Sequence, residues 1–467
     1  MNSQKHIAII GAGPGGYVAA IRAAQLGAKV TLIENQALGG VCLNWGCIPS
    51  KALLSVVELG EKVKKAGELG LQVEGPVQYD VVQMVKRKNQ VVTNLVKGIG
   101  MLLKGGGVSH VQGTGALVDD RTIHVSMVDR SDTTVQADAI IIATGSSWPN
   151  LPLFPIDGTR IITSKDALEL KSIPRRLLIV GGGVEGCEFA SLYNGLGSDV
   201  SVVEMMPSLL PEEDEELSFL MAREFKKRQI KQYIGTKVET CQLEDSDVSV
   251  TLSSGEELKT DVVLVSIGRG FNTQEIGLEH VGITLGERGE ILVNDRMETN
   301  ILGVYAIGDV VGKAMLAHVA SAQGKVAVEN IIGRSHAINY DVIPAGIFTL
   351  PEIGRVGLTE QQARERGIET KIGRFRYSGL GKAQSVGEIM GLFKVIADAE
   401  SGRLLGAHII GAHAADLIHE AAMAMETGST IERLASMIHA HPTLAEGLME
   451  AAEDVDGLAI HQAKKRL

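Results

Sequence analysis

His6-Ile7-Ala8-Ile9-Ile10-Gly11-Ala12-Gly13-Pro14-Gly15-Gly16 joins a short apolar run to a cluster of glycines. The run reads as a buried strand. A helical pattern over 17–26 follows and stops at Gly27, and a second strand over 29–33 ends on Glu34. Strand, glycine turn, helix, strand and acid together make the dinucleotide fingerprint. Gly11 permits the tight turn, Gly13 lets backbone approach a pyrophosphate, and Gly16 brings helix against strand. The helix N-terminus holds the phosphates, and the acid takes a ribose hydroxyl.

The pattern recurs. Residues 177–180 read as a strand, Gly181-Gly182-Gly183-Val184-Glu185-Gly186 as the turn, and strand 200–203 ends on Glu204. In both copies the acid lies 23 residues after the first glycine, and a Leu-Gly pair lies 15 after it. Matching offsets mark an internal repeat of about 170 residues and hence two dinucleotide sites. One uses Gly11, Gly13, Gly16 and Glu34, the other Gly181, Gly183, Gly186 and Glu204. Each copy closes on a similar strand, 139–143 into Thr144-Gly145 and 262–266 into Ile267-Gly268. The first copy is longer by 47 residues, all of them between Glu34 and Ala139.

That insertion contains Gly39-Gly40-Val41-Cys42-Leu43-Asn44-Trp45-Gly46-Cys47-Ile48-Pro49-Ser50-Lys51, with two of the four cysteines. Standing alone, the pair reads equally well as two core thiols, because free Cys is among the most buried residue types. Its place in the elaborated nucleotide site favours redox chemistry. Pro49 and Ser50 mark a helix start, where a thiolate is stabilised and its pKa falls from about 8.5. Five residues of regular helix rise about 7.5 Å, beyond the roughly 7 Å over which a disulfide bridges. A Cys42–Cys47 bridge therefore requires irregular backbone, which Asn44 and Gly46 can supply, and strained bridges are the reducible kind. A closed zinc site wants four ligands; Cys187 and Cys241 read as core residues, so no metal is expected. Two nucleotides and a redox thiol pair imply an electron relay with a flavin as the middle carrier.

The totals agree. At 467 residues, 45% hydrophobic and 22% charged, the chain predicts a soluble globular protein of roughly three domains. A net charge of -11 argues against a nucleic-acid footprint. No membrane span or secretory leader is expected. Four cysteines make no disulfide framework, so a reducing compartment, the cytoplasm, is the expectation. Residues 80–103 read as a surface helix. The run Glu212-Glu213-Asp214-Glu215-Glu216 reads as a helix opening whose charges complement the dipole of a helix ending in Lys226-Lys227-Arg228, rather than as a cation site. The strand-like 301–307 ends in Gly308-Asp309. From about 343 the texture changes: strands over 355–358, 391–396 and 404–410, a helix over 415–425, then His439-Ala440-His441-Pro442-Thr443-Leu444-Ala445-Glu446. By themselves Thr443 and Glu446 read as a capping box and His441 as a surface histidine.

Taken together, GGVCLNWGCIPSK at 39–51, ATG at 143–145, Gly308-Asp309, MLAHVASAQG at 315–324, LPEIGRVGLTE at 350–360 and HAHPTLAE at 439–446 resemble the class I flavin-dependent disulfide reductases, and within them the dihydrolipoamide dehydrogenase branch. The resemblance spans essentially the whole chain. It implies an α/β protein with two Rossmann-like domains and a C-terminal α+β dimerisation domain. The divisions are an FAD-binding domain over 1–150, an NAD-binding domain over 151–272, a central domain over 273–342 that completes the FAD site, and an interface domain over 343–467.

By the same resemblance, Glu34 holds the FAD ribose and Lys51 lies beside the isoalloxazine. Gly115 and Ala317 make backbone contacts to FAD, Thr144 and Gly145 close its site, and Asp309 lies near the ribityl chain. Val238 and Gly268 join the second fingerprint around NAD. Cys47 faces the flavin as the charge-transfer thiol, and Cys42 exchanges with lipoamide. His441 is the acid–base, oriented by Glu446, and acts across a homodimer interface. The implied reaction oxidises a dihydrolipoyl group carried by a partner, such as a 2-oxoacid dehydrogenase acyltransferase or the glycine cleavage carrier protein, and reduces NAD.

Glu204, followed by Met205 and Met206 rather than a basic pair, favours NAD over NADP. It thereby weakens the NADPH-dependent relatives such as glutathione reductase. A mercuric-reductase reading lacks a cysteine after Cys241. Two positions depart from the family pattern: Gly268-Arg269-Gly270-Phe271-Asn272 lacks the usual proline, and Trp45 stands where a small aliphatic residue is common.

Overall fold

A computed structural model describes residues 4–127, 131–169 and 171–463. The chain forms two compact units. One takes residues up to Leu53, Val82–Leu151 and Gly268–Asn339, and the other takes Leu54–Val81, Pro152–Ile267 and the chain from Tyr340 onward.

The first unit is built on a seven-stranded sheet in the order Val304–Ala306, Ala139–Ile142, His6–Ile10, Lys29–Glu34, Ser109–Leu117, Thr122–Met127, Asp132–Gln136. The first five strands run parallel, and the last two add an antiparallel meander. Four of these parallel strands, Val304–Ala306, Ala139–Ile142, His6–Ile10 and Lys29–Glu34, are largely buried, as strands covered on both faces require, while Ser109–Leu117 is exposed over its first half. The helix Pro14–Gln25 begins one turn earlier than its apolar period indicates, with Gly13 as N-cap and Pro14 supplying a preset first-turn φ.

The second unit repeats the same device and adds an antiparallel layer. A five-stranded parallel sheet runs Lys231–Ile234, Asp199–Glu204, Arg176–Val180, Val262–Val265, Ile161–Thr163, beside a three-stranded antiparallel sheet from 238 to 260. Residues from Ala345 to Gly411 form a five-stranded antiparallel sheet. The helices Ala414–Glu426 and Glu446–Asp454 pack against it over a core that includes Phe375, Tyr377, Phe393 and Ile409. Tyr377 and Phe393 stack at 4.7 Å between ring centroids.

The sequence repeat is a repeat in space. Gly11 N–H donates to Ile33 O and Gly181 N–H to Val203 O, each at 2.8 Å. Ala143 N–H donates to Ile10 O and Ser266 N–H to Val180 O, again at 2.8 Å. Gly11 (φ +102°) and Gly181 (φ +109°) sit where a Cβ would come within 2.2 Å of Ala143 O and 2.1 Å of Ser266 O. Only glycine lets the closing strand approach the turn this closely in either copy.

Two expectations change. The acidic run is not merely a solvated helix opening. The helix is Glu215–Lys227, with Asp214 as its N-cap accepting from Glu216 N–H, while Glu213 and Asp214 are buried. Glu213 Oε1 lies 2.8 Å from Arg355 Nε. The Lys394 ammonium meets Asp214 Oδ1 at 2.8 Å and Glu360 Oε2 at 2.7 Å. The cations that pair with this run stand 142 and 180 residues along the chain, so helix-local charge reasoning cannot find them. Second, Gly40–Lys64 has the length and apolar content of a membrane span. It is two helices, Gly40–Trp45 and Cys47–Lys64, broken at Gly46, and it is the stretch that carries the thiols.

Candidate functional site

Cys42 lies in the short helix Gly40–Trp45, and Cys47 is the first residue of the next helix. The helix breaks at Gly46 (φ -140°, ψ -113°), and the two sulfurs stand 2.7 Å apart. Asn44 does not contribute to the irregularity. It is helical, and its amide donates to Leu38 O at 3.0 Å and Gly40 O at 2.9 Å, which fastens the short helix at its start. Gly40 holds the thiol segment against the first fingerprint: a Cβ there would lie 2.6 Å from Gly13 Cα. Trp45 ends the short helix without disturbing this arrangement.

Cys42 donates to Cys47, and that bond, ahead of burial, pushes the Cys42 thiol far above its ordinary range; Lys51 acts the other way. Cys187 and Cys241 are buried, and burial raises both thiols, Cys241 to about 11. Among the described residues no group of three or more His, Cys, Asp or Glu could hold a metal ion.

The same unit carries a nucleotide cradle. Glu34, at the end of its strand, accepts from Ala12 N–H and Gln36 N–H, each at 2.7 Å. A Cβ at Gly13 would meet nothing within 4 Å, so backbone borders open space beside the helix N-terminus, where a pyrophosphate fits. Thr144 and Gly145 close the turn. Thr144 Oγ1 donates to Asn272 O and Asn272 Nδ2 to Thr144 O, both at 2.8 Å. The segment lacking the usual proline thus clamps the closing loop through Asn272, and Gly270–Phe271 pairs with Ser146–Ser147.

Arg269 Nε donates to Ser146 Oγ at 2.7 Å, and Ser146 Oγ donates to Asp309 Oδ2 at 2.5 Å. This chain fixes one oxygen of Asp309, a link no motif announces. Gly115 lies in the strand Ser109–Leu117, and Ala317 opens the helix Ala317–Ile331. These residues fit an FAD molecule through backbone, acid and helix N-terminus.

The second unit holds the second cradle. Glu204 accepts from Gly182 N–H at 2.6 Å and Met206 N–H at 2.7 Å, as Glu34 does from its neighbours. Gly183 N-caps the helix Val184–Leu196, and a Cβ on it would likewise meet nothing within 4 Å. Val238 begins a strand just past Thr236, whose N–H donates to Glu204 O at 3.0 Å. Gly268, which like Gly145 belongs to the first unit, has φ near +70° as Gly145 does.

Farther along the second unit, His441 Nδ1 lies 2.9 Å from Glu446 Oε1, and Glu446 Oε2 accepts from Thr443 N–H at 2.8 Å. Burial pushes the Glu446 carboxyl up, but Thr443 N–H and His441 more than offset it, and it stays below the usual carboxylate range. A carboxylate accepts only, so Nδ1 carries the hydrogen and Nε2 is left able to take a proton. The imidazole is 75% exposed. The other histidine of the motif, His439, is turned inward, and nothing in the sequence distinguishes the two.

Residues 5–324 match the family described as pyridine nucleotide-disulphide oxidoreductase, and residues 343–452 match its dimerisation domain, which supports a homodimer. The chain is 41% identical over 455 residues to the dihydrolipoyl dehydrogenase of Chlamydia muridarum, covering 97% of each chain. The solved structure of LpdA from Mycobacterium tuberculosis superposes with a TM-score of 0.91 at 29% identity, over 97% of this chain and 99% of that one. The HOCl-induced flavoprotein disulfide reductase RclA from Escherichia coli, solved as a Cu(II) complex, gives 0.86 at 27% identity over the same shares. Two duplicated nucleotide cradles, an inserted thiol pair and a C-terminal histidine–carboxylate pair place the chain in the pyridine nucleotide-disulphide oxidoreductase family, as a flavoprotein disulfide oxidoreductase that uses FAD and a pyridine nucleotide.

Proposed function

We propose that this protein oxidises a protein-bound dihydrolipoyl group to the lipoyl disulfide and passes the two electrons to NAD. The carrying observation is the thiol pair, with its sulfurs 2.7 Å apart in the insertion of the first nucleotide site. Identity of about 40% to dihydrolipoyl dehydrogenases over nearly the full length supports the choice of substrate.

In this reading a thiolate of the dithiol attacks Cys42 Sγ of the oxidised pair, and Cys47 leaves as thiolate. His441 Nε2, on the partner copy of the dimer, takes the proton of the second thiol. That thiolate displaces Cys42 and closes the lipoyl disulfide, so the dithiol is oxidised and the pair reduced. Cys42 leaves as thiolate and takes the proton held at His441 Nε2, so the reduced pair carries one proton and Cys47 stays a thiolate. FAD, when bound, supplies a two-electron acceptor between the dithiol pair and NAD. Glu34, Thr144, Gly145, Asp309, Gly115, Ala317 and Lys51 are the residues assigned to hold it. Anaerobic titration of the purified holoenzyme with dihydrolipoamide tests the reading. Long-wavelength absorbance should grow, and NADH should form on adding NAD. If neither appears, the proposal fails.

Glu204, Val238 and Gly268 are assigned to the NAD site. Both Glu204 oxygens are engaged by backbone N–H groups, which hold the carboxylate at its strand end, where it would meet a 2′-hydroxyl and repel a 2′-phosphate. Replacing Glu204 by Ala should lower kcat/KM for NAD by about 10-fold or more, the worth of a hydrogen bond to a charged group, and leave the value for NADP unchanged or raised. Steady-state kinetics with both nucleotides checks this; an equal loss for both would mean that only the turn had been damaged.

A second reading, reduction of another small disulfide by NADH, draws on the likeness to RclA. Comparing disulfide substrates at fixed NADH separates the two, and a pull-down of lipoylated proteins identifies the complex served.

A further inference from the structure

His439 stands two residues before His441 and is assigned no part in the reaction. From Ser436 to Ala445 the backbone lies outside helix and strand, and Ile438 is 95% exposed. Within that span the His439 ring is turned in, 3% exposed. Its Nε2 lies 2.7 Å from Glu420 Oε1, on the helix Ala414–Glu426, and its Nδ1 lies 3.0 Å from Met437 O. A carbonyl oxygen and a carboxylate both accept. The ring thus bridges the Met437 carbonyl and the Glu420 carboxylate from a sheltered position, and removing either side chain strands the other.

The C-terminal side of the segment is held by Thr443 Oγ1 to Ala440 O at 2.7 Å and by Thr443 N–H and His441 Nδ1 to Glu446, the first residue of the helix Glu446–Asp454, at 2.8 and 2.9 Å. His439 ties its N-terminal side to a second helix, Ala414–Glu426. We propose that the His439–Glu420 contact is the positioning device for His441, pinning the N-terminal side of the loop to the helix Ala414–Glu426 so that Nε2 is presented at a fixed place. This rests on the reading of His441 as the acid–base group.

The test uses the FAD-loaded dimer and follows two half-reactions by anaerobic stopped-flow: flavin reduction by dihydrolipoamide, which needs His441, and by NADH, which does not. His439→Gln should slow the dithiol half-reaction on the order of 10²-fold, the usual cost of misplacing a reacting group by about 1 Å. KM for dihydrolipoamide should stay near its original value, and the NADH half-reaction should be unaltered. Glu420→Gln, which leaves the His439–Met437 bond in place, should act in the same direction and serves if His439→Gln does not fold. Adding His439→Gln to His441→Gln should cost nothing further, because a positioning residue acts only through the group it positions. Equal slowing of both half-reactions, a rise in KM at constant kcat, or a multiplicative loss in the double variant would overturn the positioning role. If His441→Gln by itself leaves the dithiol half-reaction intact, the acid–base assignment fails and the positioning role with it.

Discussion

In the His441→Gln protein, flavin reduction by dihydrolipoamide is expected to slow by about 10² to 10⁴-fold, the usual share of a general acid–base group. Flavin reduction by NADH is expected to proceed at the original rate. The asymmetry follows from where protons move. The lipoyl dithiol must lose a proton to become a nucleophile, whereas hydride arriving from the nucleotide requires no base at the thiols. Glutamine keeps a polar side chain beside Glu446 and preserves the Thr443–Glu446 bond, so the loop is not the variable. Glu446→Gln should cost less, since Glu446 only orients the ring. Anaerobic stopped-flow on both half-reactions is the measurement. Equal rates for wild type and His441→Gln with the dithiol would remove His441 from the mechanism.

The largest expected effect on stability lies far from the thiols. Lys394→Met should destabilise the protein by about 3–5 kcal/mol, the cost of leaving a buried charge without its partner. Three carboxylates face that ammonium, Asp214, Glu216 and Glu360. Two of them keep a cation in the variant, because Arg374 lies 2.7 Å from Glu216 and 3.2 Å from Glu360. Asp214 loses the ammonium it pairs with among the described residues and keeps only the weaker influence of His408, and it is buried, so it decides the magnitude.

Burial pushes the Asp214 carboxyl up, but His408 and Lys394 more than offset this and hold it below the usual range. A depressed carboxyl contributes stability above its unfolded pKa and loses it as pH falls through the folded value. The wild type should therefore keep this contribution at neutral pH and shed it only in acid, while Lys394→Met lacks the share that Lys394 supplies. Urea unfolding midpoints at neutral and acid pH measure both. Adding Asp214→Asn should restore part of the loss, since a pair neutralised on both sides strands no charge. A single-variant change within about 0.5 kcal/mol, the usual scale of a surface substitution, would refute the buried-pair account.

The nucleotide halves were legible because their determinants are local. A glycine turn needs φ > 0 and close strand approach, and a βαβ unit needs a strand period, a helix period and an acid at a set offset. All of these lie within a few dozen residues, twice over, in this chain. The duplicated hydrogen bonds at Gly11 and Gly181 are what two copies of one local pattern must produce. The thiol insertion was legible for a related reason: a five-residue spacing forbids a bridge in regular helix, so the break had to lie between the cysteines. Which residue breaks it was not. Gly46 does, while Asn44 spends its side chain on the carbonyls of Leu38 and Gly40.

What no local pattern carries is the partner of a charge across the fold. The acidic run at 212–216 has the composition of a solvated helix start, and only the packing of the strands bearing Arg355 and Lys394 turns two of its members into buried ion pairs. The Arg269–Ser146–Asp309 chain joins three segments whose separations, 123 and 163 residues, exceed the reach of any motif. His439 and His441 are alike in sequence; one faces Glu420 and the other solvent because of where the helix Ala414–Glu426 lies. The chain by itself determined the two nucleotide turns and the inserted thiol pair, since backbone sterics and periodicity act between near neighbours. The tertiary structure alone decided which charges are buried and which histidine is presented, since desolvation and ion pairing depend on distance in space and not along the chain.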